Sequence, residues 1–299
     1  MMDNTEGALR ESNIFMLLLL QMRPKQWTKN LLVFAAPLFS LSKLNVNMVY
    51  NSIIAFFLFC LISGCVYILN DYVDREADRK HPEKKFRPMA SGALNANIAI
   101  CFGAIVLIST LILSLVIDPL FFVTIAIYFL LNVAYSLRLK HVVILDVMII
   151  AAGFVLRAIG GGLAIGVNFT PWFLLCTMLL ALFMAINKRK HELELLENKK
   201  GTHRKVLDSY SSEFLNQLSA IVTTATIISY SMFTFTSEHS IHLMWTIPMV
   251  IYGMFRYLYL IHIEKQGGAP EKVLLEDKHI LVTVIMYASS VFIILKYFE

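Results

Sequence analysis

The chain is short of charge. Asp, Glu, Lys and Arg make up 16% of its 299 residues, against about 25% in an ordinary soluble domain. That shortage excludes a water-soluble globular fold, and 58% hydrophobic residues with a mean hydropathy of +0.67 agree. Cysteine is sparse too. Cys60, Cys65, Cys101 and Cys176 all lie inside apolar runs, which argues against a disulfide framework or a zinc site and leaves packing as their role. The runs do not alternate as barrel strands do, so a β-barrel is not expected. The first long run is not followed by a small-residue cleavage site and a polar mature domain, so no cleaved signal peptide is expected. No internal repeat shows in residue identities. Gly160-Gly161-Gly162 lacks the strand context of a dinucleotide fingerprint.

What is present is a series of long apolar runs separated by short polar loops, the pattern of an all-α polytopic integral membrane protein. Spans are expected near 49–71, 95–117, 120–137, 143–165, 171–187, 213–235, 241–262 and 279–297. A further one over Leu31 to Leu41 reaches a marginal length only if it begins near Lys25, with Pro24 starting it. That makes nine transmembrane helices, expected around a central cavity, with room for a broken or tilted helix among the shorter ones. Residues 1–22 form an N-terminal tail with an interfacial helix over Ile14 to Met22, and residues 23–299 a single transmembrane catalytic domain.

Charge placement sets the orientation. If residues 23–30 are cytosolic, so are the loops near 72–94, 138–142, 188–212 and 263–278. All of the 26 Lys and Arg residues then lie on that side except Lys43, Lys296, Arg157 and Arg256. The N-terminus is expected in the cytosol and the C-terminus outside, in a cytoplasmic (inner) cell membrane. The basic residues read as topology and phosphate residues, with no nucleic-acid partner.

The stretch Asn70-Asp71-Tyr72-Val73-Asp74-Arg75-Glu76-Ala77-Asp78 hangs from the end of the run Tyr50 to Leu69. Asp71, Asp74 and Asp78 stand at i, i+3 and i+7, one face of a helix. Three like charges there call for a cation between them. Mg²⁺ is the usual one, and it keeps waters and shares phosphate oxygens. Arg75, Arg79, Lys80, Lys84, Lys85 and Arg87 follow as phosphate contacts. The bland alternative is a solvated juxtamembrane loop whose basic residues only set topology.

Other loops on the same side add candidates. Arg23 to Asn30 carries Lys25 and Lys29, with Trp27 suited to headgroup level. Tyr135, Arg138 and Lys140 make a tight basic connection, with Asp146 one turn into the next span. Arg157 lies deep in its span, where arginine is costly and usually functional, the alternative being an ion pair with Asp146 or another acid. The glycines after it permit close helix contact or a helix break. Lys188, Arg189 and Glu192 follow the span 171–187, the sixth of the nine, as either a charged helix end or a site, with Lys188 and Glu192 at i, i+4. His191 is read as incidental and Glu194 as solvated. Arg204 and Lys205 precede a cap at Tyr210 to Glu213. The loop Glu264 to Lys278 is apolar enough to lie over the membrane face as a lid.

The aspartate block has the form of the first aspartate-rich motif of the UbiA-type intramembrane prenyltransferase superfamily, and nine helices match its fold. The resemblance implies that Asp71, Asp74 and Asp78 coordinate Mg²⁺ and diphosphate. The second acidic motif of that superfamily has no counterpart here: Asn187-Lys188-Arg189-Lys190-His191-Glu192 contains no aspartate. In this, and in Arg23 to Asn30, Lys84-Lys85-Phe86-Arg87-Pro88, Gly153 to Ile159 and Pro270 to Leu275, the chain resembles the decaprenyl-phosphate phosphoribosyltransferase branch. That resemblance implies phosphoribosyl pyrophosphate as donor, a polyprenyl phosphate lipid as acceptor, and release of pyrophosphate. It also implies a place in cell-envelope biosynthesis and leaves room for a homo-oligomer. Lys188 and Arg189 join the aspartates as catalytic candidates. Lys25, Lys29, Asn70, Lys85, Arg87, Tyr135, Arg138, Lys140, Arg157 and Glu192 are the binding candidates. Three readings stay open beside it: a prenyltransferase acting on an aromatic acceptor, a transporter built on Arg157 and Arg256, and a structural or regulatory membrane protein.

Overall fold

Short polar side chains start most of the long helices. Asn45 accepts a hydrogen bond from the Met48 amide, Asn95 from Asn97, Asp118 from Phe121, Ser211 from Phe214 and Asp277 from Ile280. Each satisfies an amide that the first turn leaves without a partner. The computed structural model describes residues 13–40, 44–81, 84–197, 205–237, 239–264, 273 and 276–298. Most of the loop read as a lid lies outside these residues, including Pro270-Glu271-Lys272, as do Lys43, Arg204 and the first twelve residues.

The helices are α1 (Ile14–Gln21), α2 (Ala35–Leu38), α3 (Val46–Val73), α4 (Arg75–Arg79), α5 (Ala96–Ile117), α6 (Pro119–Leu137), α7 (Leu145–Ile165), α8 (Pro171–Glu197), α9 (Ser212–Thr236), α10 (Ile247–His262) and α11 (Lys278–Tyr297). Eight stretches are long and apolar enough to cross a membrane: α3, α5 to α9, α11, and α10 with the turn before it, Ile241–His262. The chain is thus an all-α polytopic membrane protein with eight such helices among the described residues. The expected ninth differs. Pro24–Phe34 winds as a 3₁₀ helix and only Ala35–Leu38 follows in α form. Side-chain demands on this segment explain the departure. Asn30 is buried and donates to the Cys60 sulfur and the Ser63 hydroxyl, and the Val33 carbonyl lies against Gly161.

The chain forms two compact units. The first comprises Met1–Ala35, Asn45–Lys140 and Leu156–Val167; the second comprises Ala36–Leu44, His141–Val155 and Asn168–Glu299. In the first, α3 packs with α5, α6 and the 3₁₀ segment. Phe59, Phe121, Ile125 and Tyr128 form one core; Leu17, Met22, Ile68 and Met89 form a second. The end of α7 belongs here, and its glycines make close helix contacts, the first of the two options open from sequence. A Cβ on Gly160 would lie 2.6 Å from the Phe59 ring, and one on Gly161 would lie 2.3 Å from the Val33 carbonyl oxygen.

In the second unit α9 runs along α8 and α10 pairs with α11. Arg256, within the span Ile241–His262 as read, clasps that pair: it donates to Asp277 at 2.7 Å and approaches Glu264 at 3.8 Å. The guanidinium holds the Asp277 carboxyl below its usual range.

Candidate active site

Each unit contains one group of buried charge. In the first, the last turn of α3 carries Asp71, only 2% exposed. One carboxylate oxygen accepts from Gln21 Nε2 at 2.6 Å. The other accepts from Arg23 and, at 3.0 Å, from Arg87 Nη1. The same Nη1 donates to Asp78 at 2.5 Å, and Asp78 is 4% exposed. A single guanidinium therefore lies between the two carboxylates.

Asp74 does not share this partner. The spacing argument assumed one continuous helix, but α3 stops at Val73 and α4 starts at Arg75. Asp74 sits between them with ψ near 5°. Its carboxylate turns to Lys140 Nζ, at 2.8 and 3.0 Å. The bland reading of this block as a solvated loop fails for Asp71 and Asp78, which are buried and bonded.

The surrounding backbone is built to hold this group. Gln21 accepts the Met89 amide at 3.3 Å, tying Asp71 to the turn that carries Arg87. That turn is fixed by the Ser91 amide on the Arg87 carbonyl and by Arg79 Nε on the Ala90 carbonyl. Arg23 has φ 54°, a left-handed conformation rare outside glycine. Its guanidinium lies 4.8 Å from the Tyr67 ring centre. Sequence reasoning missed both Gln21 and Arg23. The signal available was a polar residue closing a very apolar helix, two positions before Arg23-Pro24.

Deeper in the same unit, Arg157 donates to Asn30 Oδ1 and to the Tyr128 hydroxyl, both at 2.7 Å, and stacks on the Tyr128 ring. The ion pair considered for it with Asp146 is made by Arg189 instead. Of the remaining candidates here, Lys25, Lys85 and Arg138 are exposed, and Lys29, Asn70 and Tyr135 are half-buried.

The donor set suits Mg²⁺. Asp71 and Asp78 offer hard carboxylate oxygens, and a cation already occupies the position between them. Among the described residues no three Asp, Glu, His or Cys side chains gather closely enough to hold a metal unaided. Mg²⁺ bound by one or two carboxylates plus substrate phosphates needs no such cage.

In the second unit Asp146 opens α7 and is fully buried. It accepts from Arg189 Nε and from the Tyr210 hydroxyl, both at 2.7 Å. Tyr210 in turn accepts the Ile144 amide at 2.8 Å, holding Ile144 at φ 71°, a strained value for a β-branched residue. Burial and the bond to Asp146 push the Tyr210 phenol up to about 12. Arg189, 2% exposed, also donates to Glu192 at 2.6 Å.

The structure therefore corrects two readings of this block. Glu192 pairs with Arg189 at i, i+3 rather than with Lys188 at i, i+4. Arg189 lies between the carboxylates of Asp146 and Glu192, so its charge is matched by side chains. Lys188 is half-buried and has no ion-pair partner among the described residues. Lys190 is buried and reaches Glu194 at 3.7 Å, so Glu194 is not simply solvated.

Comparison with known proteins follows the same lines. The chain is 35% identical to decaprenyl-phosphate phosphoribosyltransferase of Corynebacterium glutamicum over 274 residues, covering 89% of this chain and 82% of that protein. It is 32% identical to the protein of that name from Mycolicibacterium smegmatis over 284 residues, covering 90% and 89%. In fold it matches a UbiA homolog from Archaeoglobus fulgidus bound to DMAPP and Mg²⁺, with a TM-score of 0.72 at 17% identity, over 95% of this chain and 100% of that one. The model of the UbiA prenyltransferase family matches residues 31–275, a span that takes in the Asp71–Asp78 block and the Asp146–Arg189 pair, and the chain belongs to that family.

Proposed function

We propose that the protein transfers the 5-phosphoribosyl group of phosphoribosyl pyrophosphate to a polyprenyl phosphate such as decaprenyl phosphate, releasing pyrophosphate. The observation that carries this reading is the set of relatives, 30 to 35% identical over 89 to 90% of the chain, that bear the name decaprenyl-phosphate phosphoribosyltransferase. The chemistry of the first unit agrees with it.

Asp71 and Asp78 would hold Mg²⁺, with Asp74 and Asn70 beside them. Bound with the donor's diphosphate, the metal supplies positive charge that stabilises the departing pyrophosphate. Arg23 and Arg87 stand where phosphate oxygens would come, and a guanidinium can hold such oxygens in pairs. Lys140, kept at Asp74, and the exposed Lys25, Lys85 and Arg138 supply further positive charge in the same unit. Lys29, Tyr135 and Arg157 complete the binding candidates there. Lys188 is the anion-holding candidate of the second unit, while Arg189 and Glu192 position its helix. The acceptor phosphate is an anion near neutral pH, so the transfer asks for no strong general base.

A prenyltransferase acting on an aromatic acceptor would want paired acids at the end of α8. Asn187 to Glu192 holds no aspartate, and its one acid, Glu192, is already bonded to Arg189. We place the protein in the cytoplasmic membrane with its N-terminus and basic loops in the cytosol, on the distribution of Lys and Arg.

The test uses purified protein, Mg²⁺ and phosphoribosyl pyrophosphate labelled in the ribose, with polyprenyl phosphates of several lengths. The expected result is label in the lipid phase and free pyrophosphate. No transfer to any chain length, alongside prenylation of an aromatic acid from a prenyl diphosphate, would overturn the reading.

A further inference from the structure

Asp71 and Asp78 are both almost completely buried, yet their charges are met without any metal. Two guanidinium groups, from Arg23 and Arg87, face the two carboxylates, so the cluster is already neutral. Asp74 and Lys140 form a second balanced pair beside it. A bare divalent cation entering this cluster would find no charge left to neutralise, and would leave it with two positive charges in excess. The same cation arriving with a diphosphate brings its own compensation.

The two arginines are not equivalent. Arg23 is strapped: its backbone is left-handed, its guanidinium lies on the Tyr67 ring, and it faces Asp71 alone. Arg87 bridges Asp71 and Asp78 through one nitrogen, at 3.0 and 2.5 Å, which is the place a bridging cation would take. The two side chains are about equally exposed, 25% and 24%, so what distinguishes Arg87 is the shared nitrogen and the absence of a ring beneath its guanidinium among the described residues, while hydrogen bonds around Ser91 and Leu94 hold its backbone in a turn. Gln21 binds the other oxygen of Asp71 and keeps that carboxylate aimed at the bridge.

We propose that Arg87 is an internal counter-cation. It holds Asp71 and Asp78 together before the metal arrives, would leave that position when the metal enters with its diphosphate, and would transfer its hydrogen bonds to the diphosphate oxygens. The proposal rests on the functional reading above and adds to it an order: metal and diphosphate bind as one species, because Arg87 competes with the metal alone. Burial favours such a device, since two desolvated carboxylates are costly to leave ionised without a cation.

The experiment measures Mn²⁺ binding to the purified full-length protein by electron paramagnetic resonance, with and without inorganic pyrophosphate. Wild type should bind Mn²⁺ alone weakly, and pyrophosphate should tighten it by at least about tenfold. Arg87→Gln removes the competitor, so it should bind Mn²⁺ alone about tenfold more tightly than wild type and lose most of the enhancement by pyrophosphate. A mere structural role predicts the opposite sign, weaker metal binding. Arg87→Lys keeps a cation that cannot span both carboxylates and should shift binding the same way by less. It also provides the reading if Arg87→Gln does not fold. Metal binding unchanged or weakened in the folded variants, with Mn²⁺ and pyrophosphate still bound together, would overturn the proposal and spare the functional reading. Failure of wild type to bind Mn²⁺ and pyrophosphate under any condition would remove both.

Discussion

The two charged clusters use the same parts for different ends. Each places an aspartate of a long helix against an arginine. Around Asp146 the arginine itself is closed off: Arg189 is 2% exposed, Tyr210 takes the second oxygen of Asp146, and the partly exposed Glu192 accepts from Arg189 Nη1. Around Asp71 both arginines remain partly open to solvent and one nitrogen of Arg87 is shared by two acids. A sealed ion pair fixes helices. A pair that is buried on the acid side and accessible on the base side can exchange its cation, and chemistry needs that kind.

The comparison breaks most visibly at the sealed cluster. Asp146→Ala or Arg189→Ala leaves a buried charge without its partner and should cost about 3–5 kcal/mol of stability, read as a large fall in thermal unfolding temperature in detergent. Asp71→Asn should act in the opposite manner. We expect transfer to fall by about a hundredfold or more, since charge at the departing pyrophosphate is worth several kcal/mol, while the unfolding temperature moves far less than in the Asp146 variant. Equal stability losses in the two variants would erase the distinction between them.

The smallest effect sharpens the contrast through pH. The Tyr210 phenol is raised from 10.0 to about 12, so its contribution to stability is complete below pH 10 and is lost as the pH rises through about 12. Removal of the hydroxyl in Tyr210→Phe should cost about 1 kcal/mol below pH 10. The cost should vanish at higher pH, and ultraviolet titration should lose one late-ionising tyrosine. A variant that weakens equally across the whole range would disconnect Tyr210 from Asp146.

Most of the fold was legible because a membrane imposes a length on its helices, and apolar runs of that length fall where α3 and α5 to α11 are found. The Ser211 cap was legible because it is local. The segment from Pro24 to Leu38 was not, since its winding answers to Asn30 and Val33, whose partners lie far along the chain. The same limit governs the site. Asp71 and Asp78 announced themselves by spacing, but the helix break at Asp74 did not. Gln21 and Arg23 stand 50 and 48 residues from Asp71, and Asp146 stands 43 from Arg189. No periodicity encodes a partner at such distances, so Arg189 read as an open cation when it is a closed one.

The neighbouring glycines of α7 have a genetic consequence. Every missense change of glycine adds a side chain, so neither position has a conservative replacement. At Gly160 the obstacle is the Phe59 ring, which a second mutation can shrink. At Gly161 it is the Val33 main-chain oxygen, which no mutation can remove. Alleles altered at Gly160 should therefore yield intragenic suppressors at Phe59, whereas alleles altered at Gly161 should revert only at their own codon.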